Sequence, residues 1–91
     1  MRTINIRLRI IGRVQGVFFR NETQRMAQLL GVNGFVRNEP DGSVFVEAEG
    51  EDAVVYKLAD FCHHGPENAD VEHVSITQGD MAGYTNFEIR R

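Results

Sequence analysis

A chain of 91 residues, 42% hydrophobic and 25% charged, has the composition of one globular domain, which we expect to span residues 1–91. Its net charge of −3 argues against nucleic acid as the main partner, and no apolar run approaches the ~20 residues that a membrane-spanning helix needs. The only cysteine, Cys62, cannot form an internal disulfide. We therefore expect a reducing compartment, the cytoplasm, and no membrane attachment.

The first part of the chain predicts a strand, a helix and a second strand. Isoleucine and leucine alternate with polar residues over residues 4–10, which is the pattern of a half-buried strand. Over residues 21–30 the apolar period becomes that of an amphipathic helix, which begins near Phe19 and ends at Gly31. Residues 34–38 then predict a short strand.

The rest of the chain predicts a hairpin, a second helix and two more strands. The hairpin turns tightly at Pro40, Asp41 and Gly42. The further elements are strands at 43–49, 71–77 and 87–90 and a helix at 52–63. The order β-α-β-β-α-β plus a short fifth strand predicts an α+β, ferredoxin-like split-βαβ sandwich, with two helices packed on one face of an antiparallel sheet.

The segment from Gly12 to Arg20 joins the first strand to the first helix and has the features of an anion site. Gly12 and Gly16 let the backbone turn tightly and point successive N–H groups into one concavity, which binds phosphate without a metal. The helix start adds the positive end of its dipole, and Arg20 offers a planar, permanently charged fork for two phosphate oxygens. Spacing alone leaves an ordinary glycine-containing turn with a surface arginine as the alternative.

The predicted topology brings Asn38 to the same place. The first and second strands run parallel on either side of the third, so their carboxyl ends share one edge of the sheet. Gly12 follows the first strand and Asn38 closes the second, and two strand spacings, roughly 10 Å, separate them. Loop amides and the Asn38 side chain can therefore contact one small ligand, which favours a functional site over an ordinary turn.

Three segments together resemble the signatures of the acylphosphatase family. They are Gly-Arg-Val-Gln-Gly-Val-Phe-Phe-Arg at 12–20, Leu-Gly-Val-Asn-Gly-Phe-Val-Arg-Asn at 30–38 and Asp-Gly-Ser-Val at 41–44. The resemblance continues to the end of the chain, through Tyr84 and Phe87. One departure is Phe35, where tryptophan is more usual, and it changes packing rather than chemistry.

The resemblance implies an enzyme that hydrolyses the carboxyl-phosphate bond of acyl phosphates to a carboxylate and inorganic phosphate. It implies that Arg20 binds the phosphoryl group and that Asn38 positions the attacking water, with no metal and no cofactor. We expect small molecules as the only partners, the acyl phosphate and phosphate, and a monomeric protein. The resemblance also implies that phosphate oxygens are held, besides Arg20, by the loop amides around Gln15, Gly16, Val17, Phe18 and Phe19.

Other reactive residues have simpler explanations. Cys62 falls on the apolar face of the second helix, so we expect it to be buried and inert. His63 and His64 point about 100° apart on a helix, and no metal-ligand pattern surrounds them. Ser43 belongs to the turn and lacks a base, which argues against a serine hydrolase.

A binding module on the same fold is the alternative function. RNA-recognition domains stack bases on aromatic residues of central strands, but here Phe45 shares its face with Glu47 and Glu49, which we expect to be a partly exposed surface. A catalytically silent phosphate- or acyl-phosphate-binding module stays open, because a sequence does not show turnover.

Overall fold

The computed structural model describes residues 2–91, which form five strands and two helices. In chain order these are β1 (Thr3–Arg13), α1 (Phe19–Leu30), β2 (Asn33–Asn38), β3 (Val44–Glu51), α2 (Asp52–His64), β4 (Asp70–Gly79) and β5 (Phe87–Arg90). The strands make one sheet in the order β4-β1-β3-β2-β5. The predicted ferredoxin-like α+β fold is confirmed.

Strand β3 positions the two strands that lead to the candidate site. It lies between β1 and β2 and pairs with both in antiparallel orientation, so β1 and β2 run parallel to each other. Their carboxyl ends therefore share one edge of the sheet, as predicted. The fifth strand departs from the purely antiparallel expectation, because β5 pairs with β2 in parallel and makes the sheet mixed.

Both helices bury an apolar stripe against the same face of the sheet. On α1 the buried residues follow the helical period, and Gly31 ends the helix in the left-handed conformation at φ 77°. No helix in residues 2–91 has the length and apolar character needed to cross a bilayer. The expected burial of Cys62 is confirmed. The buried residues are Phe19, Thr23 and Ala27 on α1 and Val55, Leu58, Ala59 and Cys62 on α2.

The opposite face of the sheet carries no helix, yet two of its carboxylates are buried. Glu47 and Glu49 are only 7% and 3% exposed, so the expectation of a partly exposed surface was wrong for them. The reason is the segment that crosses the sheet from β4 to β5, because its amides at Ala82 and Tyr84 donate to Glu49 at 2.9 and 2.6 Å. Asn5 Nδ2 donates to Glu47 at 3.1 Å and to Glu49 at 2.9 Å.

Candidate active site

A β-bulge near the end of β1 fixes the backbone just before the loop that leads to α1. The pairing of β1 with β4 shifts register between Ile11 and Gly12. Gly12 has a φ of 136°, and a side chain there would overlap the carbonyl oxygen of Asp70 and lie 2.8 Å from the amide nitrogen of Glu72. Glycine is therefore required here by the close approach of β4.

Helix α1 begins without a side-chain cap. Its N-cap residue, Phe18, lies in the left-handed region at φ 65° and ψ 23°, and its side chain makes no capping hydrogen bond. The first N–H groups of any helix have no partner within the helix. The amides that open α1, at Phe19, Arg20 and Asn21, can therefore bind an external acceptor, and the helix dipole favours one with negative charge.

A pocket of about 230 Å³ lies at this helix start. Two of the predicted site residues do not line it: Val17 belongs to the core at 6% exposure, and the side chain of Gln15 is bonded elsewhere. The structure does bring most of the predicted residues together around one space. Those that line the pocket are Gly16, Phe18, Phe19, Arg20 and Asn38.

Two further residues line the pocket that sequence reasoning missed. Val14 contributes an apolar wall and is 1% exposed; it lies within the 12–20 segment, but nothing in the sequence indicated that this side chain would face a pocket. Asn21 is the third residue of α1, so its amide is one of the unpaired donors of the first turn. The predicted helix start near Phe19 already contained that signal.

Arg20 and Asn38 both keep their side chains available for a ligand. Arg20, the second residue of α1, takes part in none of the ion pairs within residues 2–91. Asn38, the last residue of β2, is half-buried, and its side-chain amide makes no hydrogen bond to another group within residues 2–91. By contrast, the arginines bound to carboxylates are Arg7, Arg9, Arg25, Arg37 and Arg90.

The Gln15 side chain connects the two segments that form the pocket. Its Nε2 donates to the backbone oxygen of Glu39 at 2.8 Å and to that of Ser43 at 3.0 Å. These two carbonyls bracket the turn that directly follows Asn38. The bond therefore ties the loop before α1 to the end of β2.

Proteins with similar sequences are acylphosphatases. The Acylphosphatase family model matches residues 6–89 of this chain. The acylphosphatase of Salinibacter ruber is 50% identical over 84 residues, which cover 91% of this chain and 88% of that protein. The chain belongs to the acylphosphatase family. The acylphosphatase of Rubrobacter xylanophilus agrees, at 46% identity over 97% of this chain and 81% of its own.

The fold of this family member matches solved acylphosphatase structures. The crystal structure of acylphosphatase from Bacillus subtilis is similar with a TM-score of 0.94 and 30% identity, covering 97% of this chain and 99% of that one. The acylphosphatase fold and the prediction of an acylphosphatase enzyme, made from the motifs, are confirmed.

The other reactive residues of the chain do not build a second site. Cys62 is fully buried, and burial raises the pKa of its thiol to about 12, so it is not a nucleophile at neutral pH. His63 and His64 lie in the last turn of α2, where His63 Nδ1 is 2.9 Å from the carbonyl oxygen of Ala59. Within residues 2–91, no cluster of three metal-ligating side chains occurs.

The aromatic rings on the helix-free face are covered by arginines. The Arg37 guanidinium lies 5.4 Å from the ring centre of Phe35 and 5.0 Å from that of Phe45. Arg90 lies 4.1 Å from the ring centre of Phe35. Stacking of RNA bases would need these ring faces. The arrangement gives no support to the alternative of an RNA-binding sheet.

Proposed function

We propose that this chain hydrolyses acyl phosphates to a carboxylate and inorganic phosphate in the pocket lined by Arg20 and Asn38. The observation that carries the proposal is the meeting, in one pocket, of an uncapped helix start with a guanidinium and an amide side chain that have no partner within residues 2–91. The acylphosphatases that the chain resembles support the same activity.

The phosphoryl group is held by donors that are fixed before it arrives. Phosphoryl transfer asks mainly for positioning and for stabilisation of charge on the phosphoryl oxygens. The amides around Gly16 and at the start of α1 donate to these oxygens, and the Arg20 fork contacts two of them. Because the amides belong to a folded loop and helix, little reorganisation is needed as charge shifts in the transition state.

Asn38 orients the water that attacks phosphorus. Its amide oxygen accepts a hydrogen bond from the water, and its NH₂ group, which has no acceptor within residues 2–91, is left to donate within the pocket. The water oxygen forms a bond to phosphorus as the bond between phosphorus and the acyl oxygen breaks. The electron pair leaves on the carboxylate, and the water proton passes to the phosphate product or to solvent. A carboxylate has a conjugate-acid pKa of about 4, so it leaves without a general acid.

Asn38→Ala tests this division of roles. We expect the variant to release phosphate from acetyl phosphate far more slowly than the parent, while its affinity for inorganic phosphate by calorimetry stays close to the parent value. Asn38→Asp restores nothing, because a carboxylate repels the phosphoryl group and lacks the NH₂ donor. Asn86→Ala, an exposed asparagine at the far end of the sheet, is the control and keeps full turnover.

Two outcomes would contradict the proposal. A fall in phosphate affinity as large as the fall in turnover would make Asn38 a phosphate ligand and not the group that positions water. A parent protein that binds phosphate but releases none from any acyl phosphate would be the silent binding module.

The positive charge of Arg20 and of the helix start leads us to expect full activity after treatment with EDTA. Activity that EDTA removes and Mg²⁺ restores would show that a metal shares the work.

A further inference from the structure

Phe18 presents an exposed aromatic ring at the pocket. Its side chain is 72% exposed and lines the pocket, whereas its neighbour Phe19 is 2% exposed. Single exposed apolar residues are normal on protein surfaces, and Leu29 is 70% exposed at the other end of the same helix. The position of the Phe18 ring, and not its exposure alone, therefore carries the argument.

The backbone at Phe18 would suit another residue better. Within residues 2–91, Phe18 is the only residue other than glycine with a positive φ, a conformation that is strained for an L-residue because its Cβ approaches the following carbonyl oxygen. Glycine would adopt it without strain and would equally leave the helix amides uncapped. Neither backbone geometry nor capping explains a phenylalanine here. A role for the ring itself does.

We propose that the Phe18 ring is the contact surface for the acyl group, so that this chain favours acyl phosphates with a flat, apolar acyl group. The inference rests on the proposed function. The phosphoryl oxygens occupy the amides that directly follow Phe18, so the acyl group lies beside the cradle and not within it. The attacking and leaving oxygens are roughly in line, which places the acyl group away from Asn38.

The lining of the pocket leaves one surface for such a group. Its apolar side chains are Val14, Phe18 and Phe19, and two of them are buried at 1% and 2% exposure. Only the Phe18 ring has an open face. An aromatic ring stacks on a flat, unsaturated acyl group better than on a methyl group.

The test compares benzoyl phosphate with acetyl phosphate. The measured quantity is the ratio of kcat/KM for the two substrates, since any effect on the shared phosphoryl group cancels in that ratio. We expect Phe18→Gly to lower the ratio about two- to tenfold, the size of an aromatic pair. Phe18→Ala, which keeps a Cβ, must change the ratio in the same direction.

Matched variants make the outcome decisive. Phe18→Tyr keeps the ring and is expected to keep the ratio, and Leu29→Ala removes an equally exposed apolar side chain outside the pocket and leaves both rates unchanged. A ratio that stays constant in both Phe18→Gly and Phe18→Ala would overturn the acyl contact. So would an equal fall in Leu29→Ala. A parent that hydrolyses neither substrate would instead overturn the proposed function.

Discussion

Both ends of the sheet present backbone N–H groups that can bind an anion. At one end a carboxylate of the chain itself accepts their hydrogen bonds, and at the other end no side chain caps them. At the carboxyl ends of β1 and β2, the start of α1 has no cap, and Arg20 beside it has no carboxylate partner within residues 2–91. At the other end, the amides of Ala82 and Tyr84 are bonded to Glu49. Within residues 2–91, one set of amides is therefore bonded to a carboxylate of the chain itself, and the other is the set that we propose to bind the substrate phosphate.

The difference separates stability from function. A buried carboxylate bonded to amides stabilises the segment that crosses from β4 to β5, since each such charged bond is worth about 1.5–3 kcal/mol. The uncapped helix start gives up this stabilisation, and Phe18 adds backbone strain to it. Under the proposed function, this end instead leaves its amides and Arg20 available for the phosphate of a substrate.

The largest effect is expected from Arg20. Arg20→Ala and Arg20→Lys should each cost about 3–4 kcal/mol of transition-state stabilisation, by analogy with the loss of an oxyanion donor, because lysine lacks the planar fork. The free energy of unfolding should change little, since the guanidinium forms no ion pair with any group of residues 2–91. Kinetics with acetyl phosphate and urea unfolding measure the two quantities. Arg25→Ala, an exposed arginine on the same helix, controls for net charge, and normal turnover in Arg20→Ala would remove Arg20 from the site.

The opposite result is expected from Glu49→Gln. The amide has one acceptor where the carboxylate had two, so donors from the crossing segment or from Asn5 lose their partner. We expect a loss of about 1–3 kcal/mol in the free energy of unfolding. Turnover below the unfolding temperature should stay at the parent level. Glu51→Gln, an exposed residue at the end of the same strand, is the control, and equal stabilities of the two variants would contradict the comparison.

Acid should also lower the free energy of unfolding, because protonation of Glu49 weakens the hydrogen bonds that its carboxylate accepts. Burial alone would raise the pKa of Glu49, but hydrogen bonds from Asn5 and from the amides of Ala82, Tyr84 and Gly83 outweigh it and lower the pKa below 4.5. The folded state therefore binds this proton more weakly than the unfolded state. The stabilisation is complete above about pH 4.5 and is lost as pH falls through the lowered pKa. In urea unfolding at a series of pH values, the parent should lose stability more steeply than Glu49→Gln, and parallel curves would sink this account.

The same comparison shows what a sequence reveals. The convergence of Gly16, Arg20 and Asn38 followed from strand order, because parallel strands bring their carboxyl ends to one edge. The burial of Glu49 did not follow, because alternation along a strand assigns a residue to a face but not to the irregular segment that covers it. The hydrogen bonds from the Gln15 side chain to the backbone of the 39–43 turn were likewise not predicted, because contacts between loops produce no periodic pattern in the sequence. Local patterns predicted the elements, while contacts made by loops needed the structure.

The smallest effect is expected from Gln15→Met, which tests whether the Gln15 side chain fixes the position of Asn38 relative to the start of α1. Methionine has a similar length but no N–H donor, so the link from the loop to the turn after Asn38 is lost. Stability should fall by only about 0.5–1.5 kcal/mol, because the carbonyl oxygens of Glu39 and Ser43 keep the donors Gly42 and Glu39 at 3.1 and 2.8 Å.

Turnover in Gln15→Met should fall by more than the affinity for inorganic phosphate does. The amides and Arg20, which we propose to bind phosphate, lie together on one segment and should stay together, whereas Asn38 lies on another segment and should lose its fixed distance from them. Steady-state kinetics and phosphate calorimetry on the same preparation measure both quantities, with Gln28→Met on the exposed face of α1 as the control. If affinity and turnover fall by the same factor, Gln15 shapes the phosphate cradle itself, and the link to Asn38 carries no part of the catalysis.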